Sequence, residues 1–118
     1  MNTEFVYIGK PGEIDAMMAS STRVKSLFKF GNVRATPALT FIVSPQEAVH
    51  NCINHCTGQW GLVDGLEAAA NNHAVEIGAR IKSRYKTRSG VPFLIITEAD
   101  RSATTIMLEK EYANYDSP

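Results

Sequence analysis

Ile77-Gly78-Ala79-Arg80-Ile81-Lys82-Ser83-Arg84-Tyr85-Lys86-Thr87-Arg88-Ser89-Gly90-Val91-Pro92-Phe93-Leu94-Ile95-Ile96-Thr97 is the stretch whose reading decides the fold. Ile77, Ala79, Ile81, Ser83 and Tyr85 alternate with Gly78, Arg80, Lys82, Arg84 and Lys86, the period-two pattern of a strand. Thr87-Arg88-Ser89-Gly90 then reads as a four-residue hairpin loop with a late glycine. Val91 to Thr97 is apolar on both sides apart from Pro92, as in a central strand, and proline is tolerated near a strand start. Thr104 to Leu108 supplies the next strand, and a polar tail begins at Glu109. The C-terminal half is a three-stranded antiparallel meander.

Upstream, Ser44-Pro45-Gln46-Glu47 reads as a helix start. Ser44 caps, Pro45 suits the first helical position, and Glu47 completes a capping box. That helix runs to Cys56 or Thr57, with Gly58 as its left-handed stop and Val49, Ile53 and Cys56 on its apolar face. A second helical segment spans roughly Leu62 to Val75, where Leu66, Ala69, Ala70 and His73 recur at helical intervals. Glu4 to Ile8 suggests a short strand ended by Gly9 and Lys10-Pro11-Gly12. Glu13 to Phe30 suggests one or two helical turns broken at Ser20-Ser21-Thr22. Leu39 to Val43 is β-rich and is expected as an added strand. The expectation is one α+β domain over 1–118, with two or three helices packed on an antiparallel sheet.

The chain has 118 residues, 44% apolar and 20% charged, which suits a soluble globular domain. Twelve basic and twelve acidic residues cancel, so no global field draws the molecule to nucleic acid, and such binding would need a local patch. No apolar run reaches membrane-span length, and Met1-Asn2-Thr3-Glu4-Phe5 lacks the basic start of a signal peptide. A cytoplasmic address is expected. Cys52 and Cys56 lie four apart on a helix, where β-carbons sit roughly 5–6 Å apart, wider than the about 3.5–4.5 Å of a disulfide. They read as two reduced thiols.

A signature also runs through the chain: His55-x-x-Gly58-x-Trp60-Gly61, Glu67, Asn71, Arg80, Ser83-x-Tyr85, Ile95-Ile96-Thr97-Glu98-Ala99-Asp100-Arg101-Ser102-x-Thr104-Thr105, and Leu108-x-x-Glu111-Tyr112. It resembles a family of small uncharacterised bacterial proteins of plasmids and other mobile elements, the "plasmid-related" proteins. The resemblance covers about 39–112 and leaves 1–38 as a variable N-terminal part. It implies a genetic context and no particular activity. Gln59 stands where the family usually has Asp, and Glu109 where it usually has Pro, so no acid is available in the Gly-x-Trp-Gly turn.

Four groups of residues are candidates for chemistry. Glu98 and Asp100 flank Ala99 with Arg101 beside them; in extended chain both carboxylates point the same way, suited to acid–base work or a hard cation. The competing reading is a charged turn in which Arg101 pairs with an acid and Ser102 bonds the backbone. Arg80, Lys82, Arg84 and Lys86, with Arg88 at the tip, form a basic stripe that would follow a phosphate backbone or simply guard a sheet edge. Cys52, His55 and Cys56 are weak metal candidates, more readily small core residues. His55, Arg80 and Tyr85 could join Glu98 or Asp100 in a buried network or a site, while Trp60 reads as a core plug.

The favoured expectation is a non-enzymatic binding or regulatory module acting on protein or nucleic acid. The alternatives are a nuclease-like or toxin-like enzyme using Glu98, Arg80 and His55, and a small-ligand or metal-binding protein. No cofactor and no membrane partner are expected; self-association is left open.

Overall fold

The computed structural model describes residues 4–116. At its centre is the meander: β3 (Ile81–Lys86), β4 (Pro92–Thr97) and β5 (Ala103–Leu108), each antiparallel to the next. Residues 93–97 and 103–108 are buried, because both faces of β4 and β5 are covered.

The N-terminal third completes the sheet. β1 (Val6–Ile8) pairs antiparallel with β2 (Asn32–Ala35), and β2 pairs parallel with β5, giving the order β1-β2-β5-β4-β3. Among the described residues five helices accompany this mostly antiparallel sheet, so the fold is α+β: α1 (Glu13–Ala19), α2 (Pro37–Ile42), α3 (Pro45–Cys56), α4 (Gly65–Ile77) and α5 (Tyr112–Tyr115), the last preceded by a 3-10 turn at Glu109–Glu111. No helix among them is long and apolar enough to cross a membrane.

Two expectations are overturned. Ile77 to Ala79 do not open the first meander strand: Ile77 ends α4, Gly78 caps it in the left-handed conformation at φ 72°, and β3 starts at Ile81. Leu39 to Val43 is not a strand; Leu39 to Ile42 lie in α2. The Thr36 hydroxyl accepts from the Leu39 N–H at 3.3 Å, and Pro37 takes the first helical position. Local capping thus outweighs the β-branched composition. A separate strand, not expected from the sequence, lies upstream at Asn32–Ala35.

α3 follows its sequence signals, with the Ser44 hydroxyl accepting from the Glu47 N–H at 3.1 Å and Gly58 at φ 86° beyond its end. α4 also forms, started by an Asp64–Glu67 capping box. Its buried face is Asn71 and Ala74, whereas Leu66, Ala69, Ala70 and His73 face outward. The packing of α4 is therefore thin.

Strand alternation divides the sheet into two faces. Val33, Ala35, Tyr85, Phe93, Ile95, Ile106 and Leu108 pack with residues of α2 and α3 and with Phe30 in the principal core. Leu94, Ile96 and Met107 point to the other face and are covered by Tyr112 and Tyr115. Trp60 plugs the end beside α4, stacked on Phe28 with its indole N–H donating to Asn72 at 3.0 Å.

Candidate functional site

The signature residues do not form one site. They form two polar networks on opposite faces of the sheet, and a third tie at one corner.

The first network is fully buried on the core face. His55 of α3 meets the Ser83 hydroxyl through Nδ1 at 2.6 Å and the Thr97 hydroxyl through Nε2 at 2.9 Å. Thr97 bonds Thr104 at 2.8 Å, and the Thr104 hydroxyl donates to the Phe30 carbonyl at 2.8 Å. A carbonyl only accepts, so the direction of every bond follows for a neutral ring. Thr104 uses its one proton on Phe30 and accepts from Thr97. Thr97 then accepts from the Nε2 proton of His55, and Nδ1 accepts from Ser83. Burial, reinforced by the Arg101 cation, lowers the His55 pKa to about 3, so the ring is neutral at physiological pH. This imidazole has a complete set of protein partners and does not reach Glu98.

The second network lies on the other face. Arg80 donates from Nε to Glu98 at 3.1 Å and from Nη1 to Asp116 at 2.5 Å. Tyr115 donates to the same Glu98 carboxylate and bonds Thr105 at 3.3 Å, while the Arg34 Nε donates to Thr105 at 2.9 Å. Burial opposes the Arg80 charge, but its bonds to Asp116 and Glu98 outweigh that and push its pKa above the usual range. The Asp116 carboxyl is correspondingly held low by Arg80. These contacts fasten α5 across the sheet.

The corner itself is a turn. The Arg101 N–H bonds the Glu98 carbonyl at 2.9 Å and the Glu98 N–H bonds the Ala103 carbonyl at 3.0 Å. The turn ends the extended chain that would have aimed Glu98 and Asp100 together. Asp100 is exposed; the Ser102 hydroxyl first, and the Ser102 N–H donating at 3.0 Å, hold its pKa below the ordinary value. Arg101 pairs with no acid among the described residues. It adopts φ 61°, a left-handed conformation costing about 1–2 kcal/mol away from glycine. Its guanidinium donates to the carbonyls of Ala74, Ala79 and Glu98 at 2.6–3.1 Å. A cation is thereby set at the C-terminal end of α4, where the helix dipole favours it.

Of the basic stripe, Arg84 forms a two-pronged pair with Glu109, at 2.7 and 3.1 Å. Lys82 lies over the Tyr112 ring at 4.4 Å. With Arg80 also paired, Lys82, Lys86 and Arg88 are the stripe members that enter no ion pair among the described residues. Tyr85 is buried on the core face; its hydroxyl donates to the Gln59 carbonyl at 2.8 Å, and burial pushes its pKa up.

Cys52 and Cys56 are free thiols. Burial, with the neighbouring Cys56, pushes the Cys52 thiol up to about 12, and burial raises Cys56 as well. Thiolate is the form that binds metal, and it is disfavoured here. Among the described residues no three His, Cys, Asp or Glu side chains cluster as a metal site. Nor does any buried side-chain nitrogen or oxygen among them lack a hydrogen-bond partner.

What the sequence reading missed is an apolar groove of about 440 Å³. Ile8, Ile14 and Met17 form one wall; Leu39, Val49 and Ile53 form another; Val33 and Ile106 of the sheet lie beneath. Its signal was present in Val49 and Ile53, correctly placed on the apolar face of α3. The seven-residue α1 is too short to cover that face. Asp15, also unnoticed, holds α1 to the sheet by accepting from the N–H groups of Phe30 and Gly31 at 2.6 and 2.9 Å.

No family model, no curated protein and no solved structure matches this chain.

Proposed function

We propose that this protein is a non-enzymatic binding module of a mobile genetic element, and that it holds an apolar segment of a protein partner in the groove between α1, α2 and α3. The single observation that carries the reading is the groove itself, about 440 Å³ with an almost wholly aliphatic lining. That volume lies within the range of recognition pockets. A protein segment suits it better than an isolated small ligand, because the groove's own rim is apolar and open: Met17 and Val49 are 60% and 59% exposed there. Phe41 of α2, outside the lining, is 87% exposed. Apolar exposure of this kind marks interaction surfaces.

The polar candidates support the same reading from the other side. His55, Arg80, Arg84 and Arg101 are engaged by protein groups, leaving little for a phosphate or a reacting bond. The mobile-element context rests on the resemblance alone, whose signature runs from His55 to Tyr112.

Photo-cross-linking in bacterial cells tests the reading. A photoreactive side chain at Val49 is expected to give one discrete protein adduct, lost in the Met17→Glu variant, whereas the same group at Lys86 gives none. An adduct to nucleic acid from Lys86, with none from Val49, would overturn it.

A further inference from the structure

We infer that a second copy of this chain pairs with the free edge of β1, the two strands running antiparallel about a two-fold axis at Tyr7. This surface adjoins the groove but does not depend on the groove's occupant. The first ground is the contrast between the two sheet edges. At β3 the edge is closed: the Arg84 N–H bonds the Trp60 carbonyl at 3.1 Å, and the Leu62 N–H bonds the Arg84 carbonyl at 2.7 Å. Next to it the Asn71 side-chain amide bonds both the N–H and the C=O of Lys82, at 3.2 and 2.8 Å, as a neighbouring peptide would. At β1 no strand lies beyond among the described residues.

The second ground is the direction of the β1 peptide groups. Asn32 and Thr36 send their N–H groups to Ser102 and Ile106, on the β5 side of β2. Main-chain groups alternate in direction along a strand, so Val33 and Ala35 face β1, where their partners are Ile8 and Val6. Tyr7, between those two, therefore turns both its N–H and its C=O outward. An antiparallel copy centred there closes a mutual pair of hydrogen bonds, Tyr7 to Tyr7.

The third ground is that the strand is self-complementary. In this register Val6 meets Ile8 of the second copy and Ile8 meets its Val6, apolar against apolar, before each chain turns away at Gly9, φ 75°. An isologous two-fold interface requires such a pattern. The strand itself carries neither proline nor a charge to guard its edge, and Val6 and Tyr7 are 45% and 59% exposed.

Sedimentation equilibrium of the full chain, up to about 0.5 mM so that even a weak dimer assembles, tests the inference. The native chain is expected at twice the monomer mass. Tyr7→Lys and Tyr7→Glu, each placing like charges on the axis, are expected to be monomers with unchanged circular dichroism. An equimolar mixture of the two recovers the doubled mass, because Lys then faces Glu. A monomeric native chain, a dimeric Tyr7→Lys variant or a mixture that stays monomeric would each overturn the inference. The adduct at Val49, measured in Tyr7→Lys, reports on the groove separately.

Discussion

Thr97 and Glu98 are consecutive in the chain, yet their side chains serve opposite faces of the sheet. Thr97, the last residue of β4, accepts from His55 in the core, whereas Glu98 binds Arg80 and Tyr115 on the other side. The sheet separates His55 from the Arg80–Glu98 pair, so the three do not converge on one substrate. Each group instead ties a helix to the meander: α3 through His55, α5 through Glu98, and α4 through Arg101.

The buried neutral imidazole makes stability depend on pH. The folded His55 pKa is about 3, against an ordinary 6.5 when unfolded. The unfolded chain therefore takes up a proton that the folded chain refuses. Stability from this group is complete above 6.5 and lost as pH falls towards 3, at about 1.4 kcal/mol per pH unit in mid-window. Urea unfolding between neutral pH and pH 5 should show this slope, and His55→Asn should flatten it while losing about 2–4 kcal/mol at neutral pH. The held-down carboxyls of Asp100, Glu109 and Asp116 act only below their ordinary values of 3.8–4.5.

Glu98 is the hub that fastens α5. Glu98→Gln keeps the shape and removes the charge, so the Arg80 and Tyr115 bonds weaken. The expected loss is about 1–2 kcal/mol, moderated because both Arg80 and Glu98 are partly exposed. Amide hydrogen exchange should quicken across Tyr112 to Tyr115 while β4 stays protected. Unchanged protection there would mean that α5 is held by its apolar contacts alone.

Gly61 lets the chain after Trp60 close against β3. At φ 79°, a β-carbon there would overlap the Arg84 carbonyl oxygen and lie 2.7 Å from the Tyr85 ring. Gly78 has a similar φ of 72°, but nothing lies within 4 Å of its added carbon. Gly61→Ala should therefore lose about 3 kcal/mol or more, and Gly78→Ala about 1 kcal/mol. Thermal unfolding of the two variants side by side makes the comparison; equal losses would show that backbone strain alone accounts for both.

Elements set by local rules were legible in the sequence. The meander followed from alternation at Ile77–Tyr85, which ran four residues too early because the end of α4 and its glycine cap fit the same period, and from the loop at Thr87–Gly90; α3 followed from Ser44-Pro45. The same cap logic applied to Thr36-Pro37, but the run Leu39–Val43 carried the stronger β signal and misled. β2 was hidden because four residues, Asn32–Ala35, are too few for periodicity and owe their pairing to distant β1 and β5. The division of the signature residues between two faces depended on where the strand ended and the turn began, which composition does not encode. The groove was invisible for a simpler reason: an apolar face reads the same in sequence whether or not the fold covers it.

The central claim is that residues that read as chemistry in the sequence are internal ties, with His55 at their centre. NMR of the imidazole nitrogens across a pH titration tests it most directly. The account predicts a neutral ring carrying its proton on Nε2, unchanged as pH falls past about 5 and slow to exchange with water. A ring that titrates near 6.5, or that carries its proton on Nδ1, would contradict it.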